Sequence, residues 1–349
     1  MQVNFTEDSD GDCSHPSSQA DESRSRESLR NAALLPGLER QALLQGHPLH
    51  AVIIEIKTPP VREALLAIQE AIKFRRPGLA FAADCRHGKT TMVTMVSRAM
   101  GTMFPNVPYQ VITAAKHDKC TEKALWTDVL LGFNIEAAGT AVDRKNAARG
   151  GILAACREVK GDTFALYIDE GQNWGDPEFN FLRDFTNELR EYHKKTVITI
   201  PVGDLKLQTV ADAIRVSDKG LWSRFLRGVR VFSGISSQKE LRAVMGEYDS
   251  VDSCEYPAGS GVCYSQFFLP HAHAAGWRLA HEAPRLWSEL QAVAKKHVKP
   301  LKDVGMQWIA DSILAFLTVQ MVEDEPGYRP DRDFWKSALD SSQFETTFL

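Results

Sequence analysis

Dense apolar runs of six to eight residues alternate along the middle of the chain with longer segments whose apolar positions recur every three or four residues. LAFAAD (79–84), PYQVITAA (108–115), TFALYIDE (163–170), TVITIPVG (196–203) and VRVFSG (229–234) are apolar on both faces, the pattern of strands covered on both sides. Between them, KTTMVTMVSRAMGTMF (89–104), TEKALWTDVLLGFN (121–134) and RKNAARGGILAACREVK (144–160) have helical spacing. DPEFNFLRDFTNELREYHKK (176–195) adds a strong helix start, with Asp176 predicted as the N-cap and Pro177 at the first helical position. Upstream, AVIIEIKTPP (51–60) reads as an edge strand ended by two prolines. The helix that follows it has Leu65, Ile68 and Ile72 on one face and is stopped by Pro77-Gly78. Strands separated by helices predict an α/β fold with a five-stranded parallel sheet.

The flanks differ. Residues 1–45 open with a Ser/Asp/Glu/Arg-rich stretch too poor in apolar side chains to offset its chain entropy, which predicts a disordered tail. The α/β domain is expected over 46–234, a small helical lid domain over 235–322, and a polar tail with isolated aromatics over 323–349. At 349 residues, 44% hydrophobic and 25% charged, the composition excludes fibrous, wholly disordered and disulfide-scaffold classes. No uncharged apolar run is long enough to span a bilayer and the N-terminus lacks an apolar signal region, so a cytoplasmic protein without a membrane partner is expected. Six scattered cysteines suit a reducing compartment. Cys254, Cys263, His271 and His273 do not have the spacing of a common structural zinc site and read as loop and core residues. The net charge of -4 does not exclude nucleic acid, because a local basic patch binds phosphate whatever the overall balance.

The candidate chemistry lies between the first core strand and its helix, in Ala83-Asp84-Cys85-Arg86-His87-Gly88-Lys89-Thr90-Thr91. This is A-x-x-x-x-G-K-T, a phosphate-binding loop whose first glycine is alanine. Backbone N–H groups of 84–91 and the helix N-terminus would hold phosphate oxygens, Gly88 would let the backbone approach, and Lys89 would place a cation at the β- and γ-phosphates. Thr90 offers a hydroxyl to Mg²⁺. Alanine at position 83 requires that this residue not adopt positive φ.

Tyr167-Ile168-Asp169-Glu170 ends an apolar strand in two acids, expected to neighbour the strand of the G-K-T. Asp169 would reach the Mg²⁺ shell and Glu170 would polarise water for attack on the γ-phosphate of ATP. At the end of the next strand Asp204 is the candidate polar sensor, with Thr199 the other choice and simple helix capping the competing role for Asp204. Arg224, in Trp222-Ser223-Arg224-Phe225, and second Arg227, are candidates to neutralise transition-state charge in a neighbouring subunit's site.

The order of these motifs resembles AAA+ ATPases, and within them the TnsC/TniB/MuB-like transposition regulators. Ile56-Lys57-Thr58-Pro59, Cys85 to Thr91, Ile168-Asp169-Glu170-Gly171-Gln172 and Ser223-Arg224-Phe225 carry the likeness, over roughly residues 48–245. The resemblance implies an ATP- and Mg²⁺-dependent homo-oligomer, a ring or helical filament, that wraps double-stranded DNA and links a target-selection protein to a transposase. It places DNA-facing basic residues at Lys116, His117, Lys119 and Lys123, and a second set at Arg144, Lys145 and Arg149. Asp204 departs from the pattern, where Thr, Ser or Asn is usual, and Arg242 or Arg278 would be the lid arginine. Two other readings compete: a STAND-type signalling ATPase that switches protein partners without DNA, and a nucleotide or small-molecule kinase, which Asp169-Glu170 disfavours.

Overall fold

The structure is a computed structural model and describes residues 16–50 and 55–348. Its centre is five parallel strands: β1 (Leu79–Ala83), β2 (Tyr109–Thr113), β3 (Thr163–Asp169), β4 (Thr196–Asp204) and β5 (Gly228–Val231). They lie in the order β2-β3-β4-β1-β5. The α/β class and the five parallel strands are as expected. The helices before and between the strands are α3 (Pro59–Lys73), α4 (Lys89–Met103), α5 (Glu122–Gly132), α6 (Ala141–Glu158), α7 (Asp176–His193), α8 (Lys206–Ser217) and α9 (Lys219–Phe225), preceded in the chain by α1 (Pro16–Leu34) and α2 (Leu38–Gln45).

Two apolar layers cover the sheet, and the period-2 alternation of each strand divides its side chains between them. Phe164, Leu166 and Ile168 of β3 join Ala80 and Ala82 of β1 against α5, α6, α7, α8 and α9. Ala165 and Tyr167 join Phe81 and Ile200 against α3 and α4. All seven residues of β3 are buried, which explains its unbroken apolar run. α7 begins one residue earlier than expected: Gly175 is the N-cap, and its N–H donates to Glu178 Oε2 at 2.9 Å.

The C-terminal unit comprises α10 (Gln238–Tyr248), α11 (Tyr264–Phe268), α12 (Pro270–Ala274), α13 (Ala283–Lys296), α14 (Met306–Met321) and α15 (Phe334–Ser341) around its own core. Three expectations are corrected here. The N-terminal segment is not irregular over its described part: α1 and α2 are helices, and Ala33 is buried in the C-terminal core with Leu34, Leu43 and Leu44 packed on it. Arg40 donates to the Phe267 carbonyl at 2.7 Å, so a polar composition is offset by tertiary anchoring. The segment 323–349 is likewise not a loose tail over its described part, because Trp335 is fully buried and stacks on Phe316 at 3.9 Å. The expected edge strand at 51–60 is also absent from its described part: residues 55–58 are irregular and α3 starts at Pro59, capped by the Thr58 hydroxyl; residues 51–54 lie outside the described residues. Among the described residues no helix is long and apolar enough to cross a membrane.

Candidate nucleotide site

The strand order brings three chain ends together. β4 lies between β3 and β1, so the strands carrying Asp169 and the phosphate loop are not neighbours, contrary to expectation. Asp204 instead pairs in register with Ala83 and stands between them. In a parallel α/β sheet this C-terminal edge is where ligands bind.

The loop conformation answers the substitution at position 83. Ala83 is an ordinary buried strand residue, and the left-handed positions are Arg86 (φ 64°) and Gly88 (φ 88°). Alanine is therefore unstrained, while an arginine carries a conformation that glycine holds at less cost. Two local bonds support the turn: Cys85 N–H donates to Asp84 Oδ1 at 2.7 Å, and the His87 ring Nδ1 lies 3.0 Å from the Cys85 carbonyl. Lys89 Nζ donates to the carbonyls of Ala83 and Asp84, each at 3.3 Å, and so lies across the loop that would enclose phosphate. Thr91, at the start of α4, faces a small cleft instead.

Thr90 Oγ1 donates to Asp169 Oδ2 at 3.2 Å. The other carboxylate oxygen of Asp169 accepts the Glu170 N–H at 2.9 Å. Burial pushes the Asp169 carboxyl up from its usual range, and the Glu170 N–H and Thr90 hydroxyl oppose that shift. A hydroxyl and one carboxylate oxygen this close suit Mg²⁺, which takes few protein ligands and keeps its other positions for phosphate and water. Glu170 follows in left-handed conformation (φ 56°), a backbone cost of the kind that collects at functional sites. Gln172 bridges from it: its Nε2 donates to Glu170 Oε2 at 2.5 Å, and its Oε1 accepts the Asp204 N–H at 2.9 Å. Asp204 also accepts the N–H of Lys206, the first residue of α8, at 2.8 Å.

The C-terminal unit closes one side of the loop. His87 Nε2 is 3.4 Å from Asp303 Oδ2, and Asp303 also accepts the Gly234 N–H at 2.9 Å. Gln307 N–H donates to the Arg86 carbonyl at 3.2 Å, and the Arg86 guanidinium lies 4.5 Å over the Trp308 ring. Burial lowers the His87 pKa, but the Asp303 carboxylate, the Cys85 carbonyl and Asp84 together outweigh it and hold the imidazole above its ordinary value. Beside this contact Ile56, Thr58, Val61, Phe232, Met306 and Ala310 line an apolar cleft of about 50 Å³. Asp303, Gly305 and Trp308 lie more than 200 residues from the loop, and nothing in the local pattern singles them out. Gln172 stands in the run Ile168 to Gln172, which by spacing alone assigns it no role.

The remaining expected residues sit elsewhere. Arg224 lines a cleft with Thr196 to Thr199, the N-terminal end of β4, at the edge of the sheet opposite the phosphate loop. It donates to Asn187 Oδ1 at 2.6 Å and is not part of its own chain's site. Lys116, Lys119 and Lys123 lie on the loop after β2 and the first turn of α5. His117 instead packs inward, 3.0 Å from Asp128. In the second basic set, Lys145 pairs with Glu188 at 2.9 Å, Arg149 pairs with the same carboxylate, and Arg144 bonds Thr127, so these side chains brace α6 against its neighbours. No group of three metal-ligating side chains occurs among the described residues.

The fold is the α/β architecture with a five-stranded parallel sheet that the sequence predicts. No protein-family model matches the chain, and no curated protein matches it. Solved structures with a similar chain path include the Aeropyrum pernix ORC2 protein in its ADP form (10% identity, 83% of this chain, 70% of that one, TM-score 0.48). Another is domain III of the Thermotoga maritima replication initiation protein DnaA (14% identity, 82% and 93%, TM-score 0.41). A third is the Aeropyrum pernix ORC1 protein in complex with DNA (15% identity, 86% and 85%, TM-score 0.38).

Proposed function

We propose that the protein is an AAA+ ATPase that binds ATP with Mg²⁺, hydrolyses it, and acts on double-stranded DNA. The observation that carries the reading is the convergence of Lys89, the Thr90–Asp169 pair and Glu170 on one edge of the sheet. Lys89 binds the β- and γ-phosphates once they displace its bonds to the loop carbonyls, and the N-terminus of α4 adds backbone N–H groups. Thr90 and Asp169 would hold Mg²⁺, which would supply positive charge against the phosphates. Glu170 orients and deprotonates the attacking water.

DNA binding is supported by Lys116, Lys119 and Lys123, which have no carboxylate within ion-pair distance among the described residues. We further propose, from the motif order, that the chain forms a ring or filament on DNA and links target selection to a transposase. Arg224, at the far edge of the sheet, would then enter the next subunit's site. The test is electron microscopy with linear duplex DNA and a slowly hydrolysed ATP analogue. Nucleotide-dependent assemblies on DNA are expected for the wild type and none for Lys89→Ala. Monomers with bare DNA under both conditions would overturn the DNA reading in favour of a protein-directed switch.

A further inference from the structure

We propose that Gln172 is a positioning residue that fixes the carboxylate of Glu170 and ties it to the end of β4. The inference rests on the ATPase reading above and assigns a role to a residue next to its reacting groups. The turn after β3 is held from both sides: Asn173 Nδ2 donates to the Ala114 carbonyl beyond β2 at 2.9 Å, and Gln172 Oε1 accepts the Asp204 N–H at the end of β4. Because the backbone N–H must be donated to the amide oxygen, the Gln172 amide orientation is determined, and its NH₂ group faces Glu170. That group donates to Glu170 Oε2 at 2.5 Å, which leaves Oε1 to receive a water proton.

The backbone of β4 is shaped for this side chain. A Cβ on Gly203 would stand 2.3 Å from Gln172 Oε1, so the residue that approaches the amide has none. Gly203 has no positive φ that would otherwise demand glycine. Asp204 pairs with Ala83, so any movement of the phosphate loop that shifts the β4 end also shifts Gln172, and with it Glu170. A base displaced by about 1 Å loses on the order of 100-fold in rate.

Steady-state ATPase assays of wild type, Glu170→Gln, Gln172→Ala, Gln172→Glu and Gly203→Ala test this, together with titration of a fluorescent ATP analogue. Gln172→Glu keeps an oxygen for the Asp204 N–H but exchanges the donor that faces Glu170 for a second carboxylate oxygen that repels it, so it separates positioning from mere support of the turn. A fall in kcat of roughly 10- to 100-fold is expected for Gln172→Ala, Gln172→Glu and Gly203→Ala, with KM and analogue Kd within about twofold of wild type. Wild-type kcat in Gln172→Glu, or parallel losses in kcat, nucleotide affinity and Tm, would overturn the proposal. Absence of hydrolysis by the wild type would overturn the ATPase reading itself, whereas wild-type turnover lost in Glu170→Gln but intact in both Gln172 variants overturns only the positioning role.

Discussion

Gly305 joins the C-terminal unit to the phosphate loop, and replacing it with alanine sets two effects of known size against each other. Its backbone (φ -59°, ψ 139°) is open to any residue, so alanine adds no local strain. By restricting the unfolded chain the substitution would stabilise by about 0.4–1 kcal/mol if the Cβ had room. It has none: the Cβ would lie 2.8 Å from the Arg86 carbonyl oxygen and 3.1 Å from its carbon. Both are backbone atoms of a residue held in left-handed conformation, and that oxygen already accepts the Gln307 N–H. Relief therefore requires moving the loop or α14, at an overpacking cost of about 1–3 kcal/mol. The clash wins by roughly 1–2 kcal/mol, a factor of about 5–30 in an equilibrium. Gly305→Ala is expected to lower Tm by a few degrees and to weaken ATP-analogue binding, because the moved atoms belong to the phosphate loop. Gly150→Ala, where a Cβ meets open space in α6, is the control and should raise Tm. A Gly305→Ala protein as stable as wild type with unchanged analogue Kd would refute the view that the loop and the C-terminal unit are rigidly apposed.

Arg224→Ala is expected to leave ATP affinity intact and to reduce hydrolysis by about 10³-fold. Mixing it with Glu170→Gln, which keeps the nucleotide-binding groups and lacks only the base, should restore activity, since each supplies what the other lacks; no recovery on mixing would exclude action in trans. Replacing Lys116, Lys119 and Lys123 with alanine should lower duplex-DNA affinity and reduce the slope of log K against log salt by about 0.9 for each phosphate no longer neutralised. An unchanged slope would move the DNA surface elsewhere. His47 is buried among Tyr256, Tyr264, Phe267 and Phe268, and burial lowers its pKa to about 3. The unfolded chain therefore binds the extra proton between about pH 6.5 and 3, and stability falls as the pH drops through that window, at up to about 1.4 kcal/mol per unit. His47→Phe should flatten that part of the melting profile; a profile parallel to wild type would contradict the assignment.

Several features were legible along the chain because they depend on neighbours in sequence. The apolar runs of β1, β3 and β4 read as strands covered on both faces, and G-K-T after β1 together with Asp169-Glu170 ending β3 pointed to the candidate site before any tertiary contact was known. Periodicity reports which side of a segment is buried, and a motif reports which groups the backbone presents. Neither reports which partner covers the face. The insertion of β4 between β3 and β1, which sets Asp204 and Gln172 beside Glu170, depends on the order in which strands pair. The burial of Ala33 and Trp335 turned two polar flanks into parts of the C-terminal core. The apposition of Gly305 and Trp308 to Arg86 joins residues more than 200 positions apart. Local spacing determined the loop and its acids; the loop's outer wall and the hold on the Glu170 carboxylate were decided by packing, because only the folded chain brings such distant surfaces within bonding distance.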